Sequence, residues 1–76
     1  MRDIIDIIEI IKDIISFDCG ERKVFDKDVE KVLGVKAGAA ATWKSRNVIP
    51  YSHLVLFAAK RKVDLNYLLI ESKDYL

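Results

Sequence analysis

Seven cations and no acid occupy the stretch from Lys31 to Lys62: Lys31, Lys36, Lys44, Arg46, Lys60, Arg61 and Lys62. An acid-free run of this kind suits a polyanion, because each Lys or Arg set against a phosphate releases a condensed counterion. Around the run the balance reverses. Residues 1–30 carry nine acids against five bases, and residues 63–76 carry three acids against one base. The formal net charge of +1 averages this away, so the distribution is the informative quantity. Within the run, Lys36, Lys44 and Arg46 are placed to meet phosphates, or to form an ordinary solvated basic face. Thr42 and Ser45 carry hydroxyls that can donate or accept, and Ala41 and the Thr42 methyl are small apolar groups. Ala37 and Gly38 complete this stretch, and Asn47 and Ser52 follow it. Lys60, Arg61 and Lys62 either reach phosphate or simply complement the negative end of a helix.

Other chemistries lack their residues. One His (His53) and one Cys (Cys19) cannot assemble a zinc site. Three glycines, none in a phosphate-loop spacing, and no paired nucleophile and base leave no catalytic constellation. The expectation is a protein that is not an enzyme and uses no metal or cofactor. A single cysteine allows no intrachain disulfide and fits a reducing compartment. The N-terminal isoleucines are interrupted by Asp3, Asp6, Glu9, Lys12 and Asp13. A membrane span needs ~20 mostly apolar residues, and a signal peptide needs an unbroken apolar run. Neither is present, so the expectation is a cytoplasmic protein with no membrane partner.

The elements that must position the basic run are helical throughout. With 76 residues, 51% of them apolar, the chain makes one small domain with a single core. Ile4, Ile7, Ile8, Ile11, Ile14 and Ile15 form one stripe of a helix over about 2–17, with Ile10 at its edge and Ile5 on the polar face. A second helix starts with Asp26 as N-cap, runs to Leu33 and stops at Gly34. A third, short and alanine-rich, covers about 37–45, and Arg46-Asn47 breaks it. Pro50 opens a fourth, with Tyr51, Leu54, Val55 and Ala58 inward and Phe57 beside them. Asp64 caps a fifth, Leu65 to about Ile70, with Leu65, Leu68 and Leu69 inward. Trp43, Tyr51, Tyr67, Phe25 and Phe57 read as core residues rather than a stacking platform for single strands. Residues 72–76 read as a tail. The predicted fold is all-α: a compact bundle of about five short helices, two of them joined by a tight glycine turn.

Four segments carry something more specific: Asp28-Val29-Glu30-Lys31-Val32-Leu33-Gly34-Val35, then Trp43-Lys44-Ser45-Arg46, then Val48-Ile49-Pro50-Tyr51, and finally Leu65-Asn66-Tyr67-Leu68-Leu69. In this order and spacing they resemble the N-terminal helix-turn-helix domain of phage CI-type repressors. The resemblance spans about residues 4–70. It implies a lambda-repressor-like fold and sequence-dependent binding of double-stranded DNA as a transcriptional regulator. The second predicted helix would cross the DNA backbone, and the stretch from Lys36 to about Arg46 would enter the major groove, where Lys36, Thr42 and Ser45 would face base edges and Ala41 and the Thr42 methyl a thymine methyl. Gly34 takes the place of the family's turn glycine, and Trp43 that of its apolar residue near the end of the recognition helix.

Two departures from the family pattern matter. Where the first motif helix has a small Ala, this chain has Glu30, which is expected to bend outward or to splay the two helices. The recognition stretch Ala37-Gly38-Ala39-Ala40-Ala41 is bare of the usual polar side chains, which points to modest base reading or to heavy use of DNA shape. A helical protein-interaction module that keeps the fold without reading DNA is therefore the alternative. Ile5 and Ile10 are either scattered surface apolars or a contact for a homodimer or docking partner. Repressors of this type commonly continue into a C-terminal oligomerisation domain, so the chain reads as an isolated domain or a minimal regulator.

Overall fold

The computed structural model describes residues 2–17, 20 and 23–70. Five helices follow one another: α1 (Ile4–Ile15), α2 (Asp26–Leu33), α3 (Ala39–Arg46), α4 (Tyr51–Arg61) and α5 (Leu65–Leu69), with no strand among the described residues. The all-α bundle expected from the helical periodicities is the fold. Cys19 and the expected tail at 72–76 lie outside the described residues.

Isoleucine-rich α1 is a poor helix by intrinsic preference, since β-branched side chains lose χ1 freedom against the preceding turn. Burial and capping stabilise it instead. Asp3 accepts the Asp6 N–H at 2.8 Å, and the Ser16 hydroxyl donates to the Asp13 carbonyl at 2.6 Å. Ile4, Ile7, Ile8, Ile11 and Ile15 are buried; Ile10 and Ile14 are half-buried and pack against them. Ile5 is 54% exposed, as its place on the wheel requires. The stripe packs on α2, α3 and α5, while α4 closes the bundle against α2 and α5. Val29, Ala40, Leu54, Phe57, Ala58 and Leu68 complete the core. The ends of the described chain meet: the Arg2 N–H donates to the Leu69 carbonyl at 2.7 Å, and Arg2 Nε donates to the Tyr67 carbonyl at 3.2 Å.

Helix α2 ends in a Schellman turn. Gly34 sits at φ 71°; its N–H donates to the Lys31 carbonyl, and the Val35 N–H reaches back to the Glu30 carbonyl at 3.0 Å. The same left-handed stop recurs without glycine at Asn47 (φ 54°) after α3 and Lys62 (φ 55°) after α4. A Cβ placed on Gly34 meets nothing within 4 Å, so steric contact is not what selects glycine here. Gly34→Ala should therefore cost only the left-handed strain, about 1 kcal/mol by urea denaturation. Gly34→Asn should cost less, since Asn already holds the equivalent stop at Asn47.

Several placements differ from the sequence expectation. Helix α3 starts at Ala39, two residues later than expected, because Gly38 at φ 89° cannot be a helical residue; residues 36–38 form a turn closed by the Ala39 N–H on the Lys36 carbonyl. Asp26 is the first residue of α2 and not its N-cap. Phe25 holds that position, with its N–H donating to Asp28 Oδ2 at 2.8 Å. Tyr51 and Val55, expected inward on α4, are 50% and 48% exposed. Phe57 joins Leu54 and Ala58 as the buried face in their place. Phe25 and Tyr67 are likewise about half exposed, where core positions were expected. On short helices with one buried face, an aromatic at its edge buries part of its ring and leaves the rest in solvent.

Candidate nucleic-acid interface

Helix α3 has little apolar attachment. Ala40 is its one buried residue among those described, and Trp43 is half-buried, packed against the core with its ring 6.3 Å from that of His53. Ala40, Trp43 and Lys44 fall on the inner side, while Ala41, Thr42 and Ser45 share the outer side and are exposed. Polar contacts supply the rest of the attachment. Gly38, as the N-cap residue, has no side chain to satisfy the first N–H groups of α3. Glu30 of α2 does so instead: its Oε2 accepts the Ala40 N–H at 2.9 Å. The residue is 6% exposed, the one buried charged residue among those described. This corrects the expectation that Glu30 bends outward. An acid turned inward here finds both a donor and the positive end of a helix, and neither is visible in the sequence of α2 alone.

A second tether lies at the other end of α3. Lys44 Nζ donates to Asp26 Oδ2 at 2.8 Å, while Lys12 Nζ lies 2.9 Å from Asp26 Oδ1 and 3.8 Å from Glu9. One carboxylate thus joins α1, α2 and α3. Oδ1 is shut off from solvent and is met by the Lys12 charge rather than by an aligned hydrogen bond. The hydrogen bond from Lys44, with the Lys12 ammonium close behind it, holds the Asp26 carboxyl below its ordinary range. Asp26 in turn pushes the Lys12 ammonium up. A lowered carboxylate contributes stability above its unfolded pKa of about 4, and that stability is lost as pH falls through the lower folded value. The Asp26 side chain is 35% exposed, so screening keeps the effect near about 1 kcal/mol. Asp26→Asn should be less stable than the parent by that amount at pH 7, and the gap should close as the pH of urea titrations is taken below about 4.

The candidate contact residues are placed as follows. Lys36, Ala37 and Gly38 are exposed in the turn before α3; Ala41, Thr42, Ser45 and Arg46 are exposed on it; Asn47 is exposed at its left-handed stop; and Ser52 is exposed in the first turn of α4. Lys44 is the one set apart: half-buried, on the inner side, and paired with Asp26. Thr42 donates its hydroxyl to the Gly38 carbonyl at 3.2 Å, so its oxygen is left to act as an acceptor and its methyl as an apolar contact. An alanine face therefore remains, bounded by Lys36 before the helix and Arg46 at its last turn.

Sequence reasoning missed two features. Lys23 and Lys27 flank the ring of Phe25 at 5.5 and 5.8 Å, and with Lys12 and Lys44 they line a shallow basic depression over Asp26. Their cations precede the acid-free run, so a count of charge along the chain hides them among nearby acids. A groove of about 290 Å³ runs between α2 and α4, lined by Val32, Leu33, His53, Leu56, Phe57 and the basic end of α4. It follows from Val32 and Leu56 being partly exposed on facing helices, where Leu56 had no assigned role. Among the described residues no group of His, Cys, Asp and Glu is placed to hold a metal ion, and no helix is long and apolar enough to cross a membrane. Searches against protein-family models, curated proteins and solved structures find no match to this chain.

Proposed function

We propose that this chain binds double-stranded DNA as a transcriptional regulator of the phage-repressor type, with α3 in the major groove and α2 across the backbone. The observation that carries the reading is the placement of charge around α3. The helix has no acid of its own. The two acids that contact it, Asp26 and Glu30, do so from its inner side. Its outer side is left with Ala41, Thr42 and Ser45 between Lys36 and Arg46. A surface of small side chains lets a helix approach base edges closely, while flanking cations hold the phosphates. Affinity then rests mainly on the backbone, and discrimination on thymine-methyl contacts and groove shape. Two copies on a pseudo-palindrome would set their recognition helices ~34 Å apart. Ile5, exposed on α1, is a candidate for a contact between them. Such a role belongs in the cytoplasm, with the DNA.

A fluorescent-duplex titration at 50 and 200 mM salt tests the reading. For three or four phosphate contacts, affinity should fall by about two orders of magnitude between them. Binding that ignores salt, or no binding at micromolar protein, refutes it. The second reading, a protein-interaction module, is favoured by the apolar groove between α2 and α4. It predicts a partner retained when the cations around α3 are reversed.

A further inference from the structure

We infer that Glu30 is the positioning residue of the DNA-reading helix: its buried carboxylate sets the pose of α3 on α2, and through that pose the discrimination between DNA sequences. The claim rests on the DNA reading above and deepens it.

Glu30 makes a hydrogen bond at both ends of the turn between α2 and α3. Its carbonyl accepts the Val35 N–H at 3.0 Å, which fixes the exit from α2. Its carboxylate accepts the Ala40 N–H at 2.9 Å, which fixes the entry to α3. The residues between include two glycines in left-handed conformation, Gly34 at φ 71° and Gly38 at φ 89°, each with open space where a Cβ would lie. At those two positions no side-chain packing restrains the turn, which is left to its hydrogen bonds and to half-buried Val35.

The helix that follows is equally lightly held. Its apolar anchors are a buried alanine and a half-buried tryptophan. A side chain such as leucine would fix the rotation of a helix by filling a shaped hole; Ala40 has only a methyl group. The angle at which the outer face meets a groove is then set by Trp43 near the end of the helix together with the polar tethers: Glu30 at the first turn and the Lys44–Asp26 pair at the last. Of these, the Glu30 bond is the buried one, and a bond shut off from solvent is the stiffer restraint, because its donor has no water to exchange for it. Discrimination by an alanine-rich face depends on close approach, so it is sensitive to small rotations of the helix. Phosphate contacts through long, flexible Lys36 and Arg46 are not. Loss of the tether should therefore reduce the ratio of affinities for preferred and scrambled duplexes more than it reduces affinity for scrambled duplex.

Three variants test this, with Ala40 amide exchange followed by NMR in free protein and duplex affinities by fluorescence. Glu30→Gln keeps a carbonyl acceptor of the same reach. Glu30→Ala removes the acceptor. Glu30→Asp falls one methylene short and supplies the comparison if the alanine variant does not fold. Relative to the core amide of Ile11, Ala40 exchange should rise about tenfold in Glu30→Ala or Glu30→Asp and stay within about threefold of the parent in Glu30→Gln. The ratio of affinities for a selected and a scrambled duplex should fall about tenfold in the first two and be retained in Glu30→Gln. Unchanged Ala40 exchange in all variants, equal loss in all of them, or an affinity ratio indifferent to Glu30→Ala and Glu30→Asp overturns the claim. If the parent binds no duplex, the DNA reading fails by itself, and Ala40 exchange still decides whether Glu30 holds the helix.

Discussion

Replacing both Lys36 and Arg46 by Glu should lower affinity for any duplex at least about a hundredfold at 50 mM salt and leave the fold intact. Both residues are exposed, one in the turn before α3 and one at its last turn. Reversal changes the local charge by four units at the two points where the alanine face would meet phosphate. The loss should be uniform across sequences and should flatten the salt dependence, as removal of backbone contacts does. Stability should stay within about 0.5 kcal/mol, the usual range for surface substitutions away from buried features. Lys44 would be the wrong target. Its ammonium is bonded to Asp26, so Lys44→Glu sets two carboxylates against each other beneath α3. Any lost DNA binding would then be confounded by lost structure. Anisotropy titrations of the Lys36/Arg46 double variant, alongside urea unfolding, separate the two effects. A change of less than threefold in affinity would remove these two cations from the interface.

Ile11→Ala should destabilise the domain by about 3 kcal/mol. The side chain is 1% exposed at the centre of the α1 stripe. Truncation of a buried aliphatic to Ala costs 2–5 kcal/mol through lost transfer energy and a residual cavity, and the better helix propensity of Ala returns about 0.4 kcal/mol. At roughly 0.05–0.15 kcal/mol per residue, a domain of this size has only about 4–11 kcal/mol in total. The variant should therefore melt some 12–24 °C lower, at about 4–8 °C per kcal/mol. Ile5→Ala provides the internal comparison. It makes the same chemical change on the same helix at a side chain 54% exposed, and should shift stability by less than about 0.5 kcal/mol. Thermal unfolding followed by circular dichroism reads both. Similar losses in the two variants would mean that α1 buries a face other than the one described.

What was legible in the sequence is what depends on local geometry. The isoleucine stripe of α1, with Ile5 excluded from it, follows from 100° per residue. Gly34 as a stop, Asn47 as part of the break after α3 and Asp64 as the cap of α5, with its carboxylate on the Asn66 N–H at 2.9 Å, follow from the preferences of single residues. What was not legible depends on which helix lies beside which. Whether Glu30 turns inward is decided by the bare N-terminus of α3, ten residues further on. Lys44 reads as a surface cation until α2 brings Asp26 to it. Tyr51 and Val55 occupy apolar positions on the wheel of α4, but α2 and α5 cover only the arc that contains Leu54, Phe57 and Ala58.

The junction of Arg2 with Tyr67 and Leu69 has a consequence for how the protein is made. Helix α1 leaves the ribosome well before α5, yet part of its isoleucine stripe is covered by that helix, the last of those described. At 5–20 residues per second the interval between them is about 3–10 s. For that time the most apolar segment of the chain has no complete partner. The acids spaced along its other face, Asp6, Glu9 and Asp13, break the isoleucines into runs of two, so that no long unbroken apolar stretch is presented before α5 arrives.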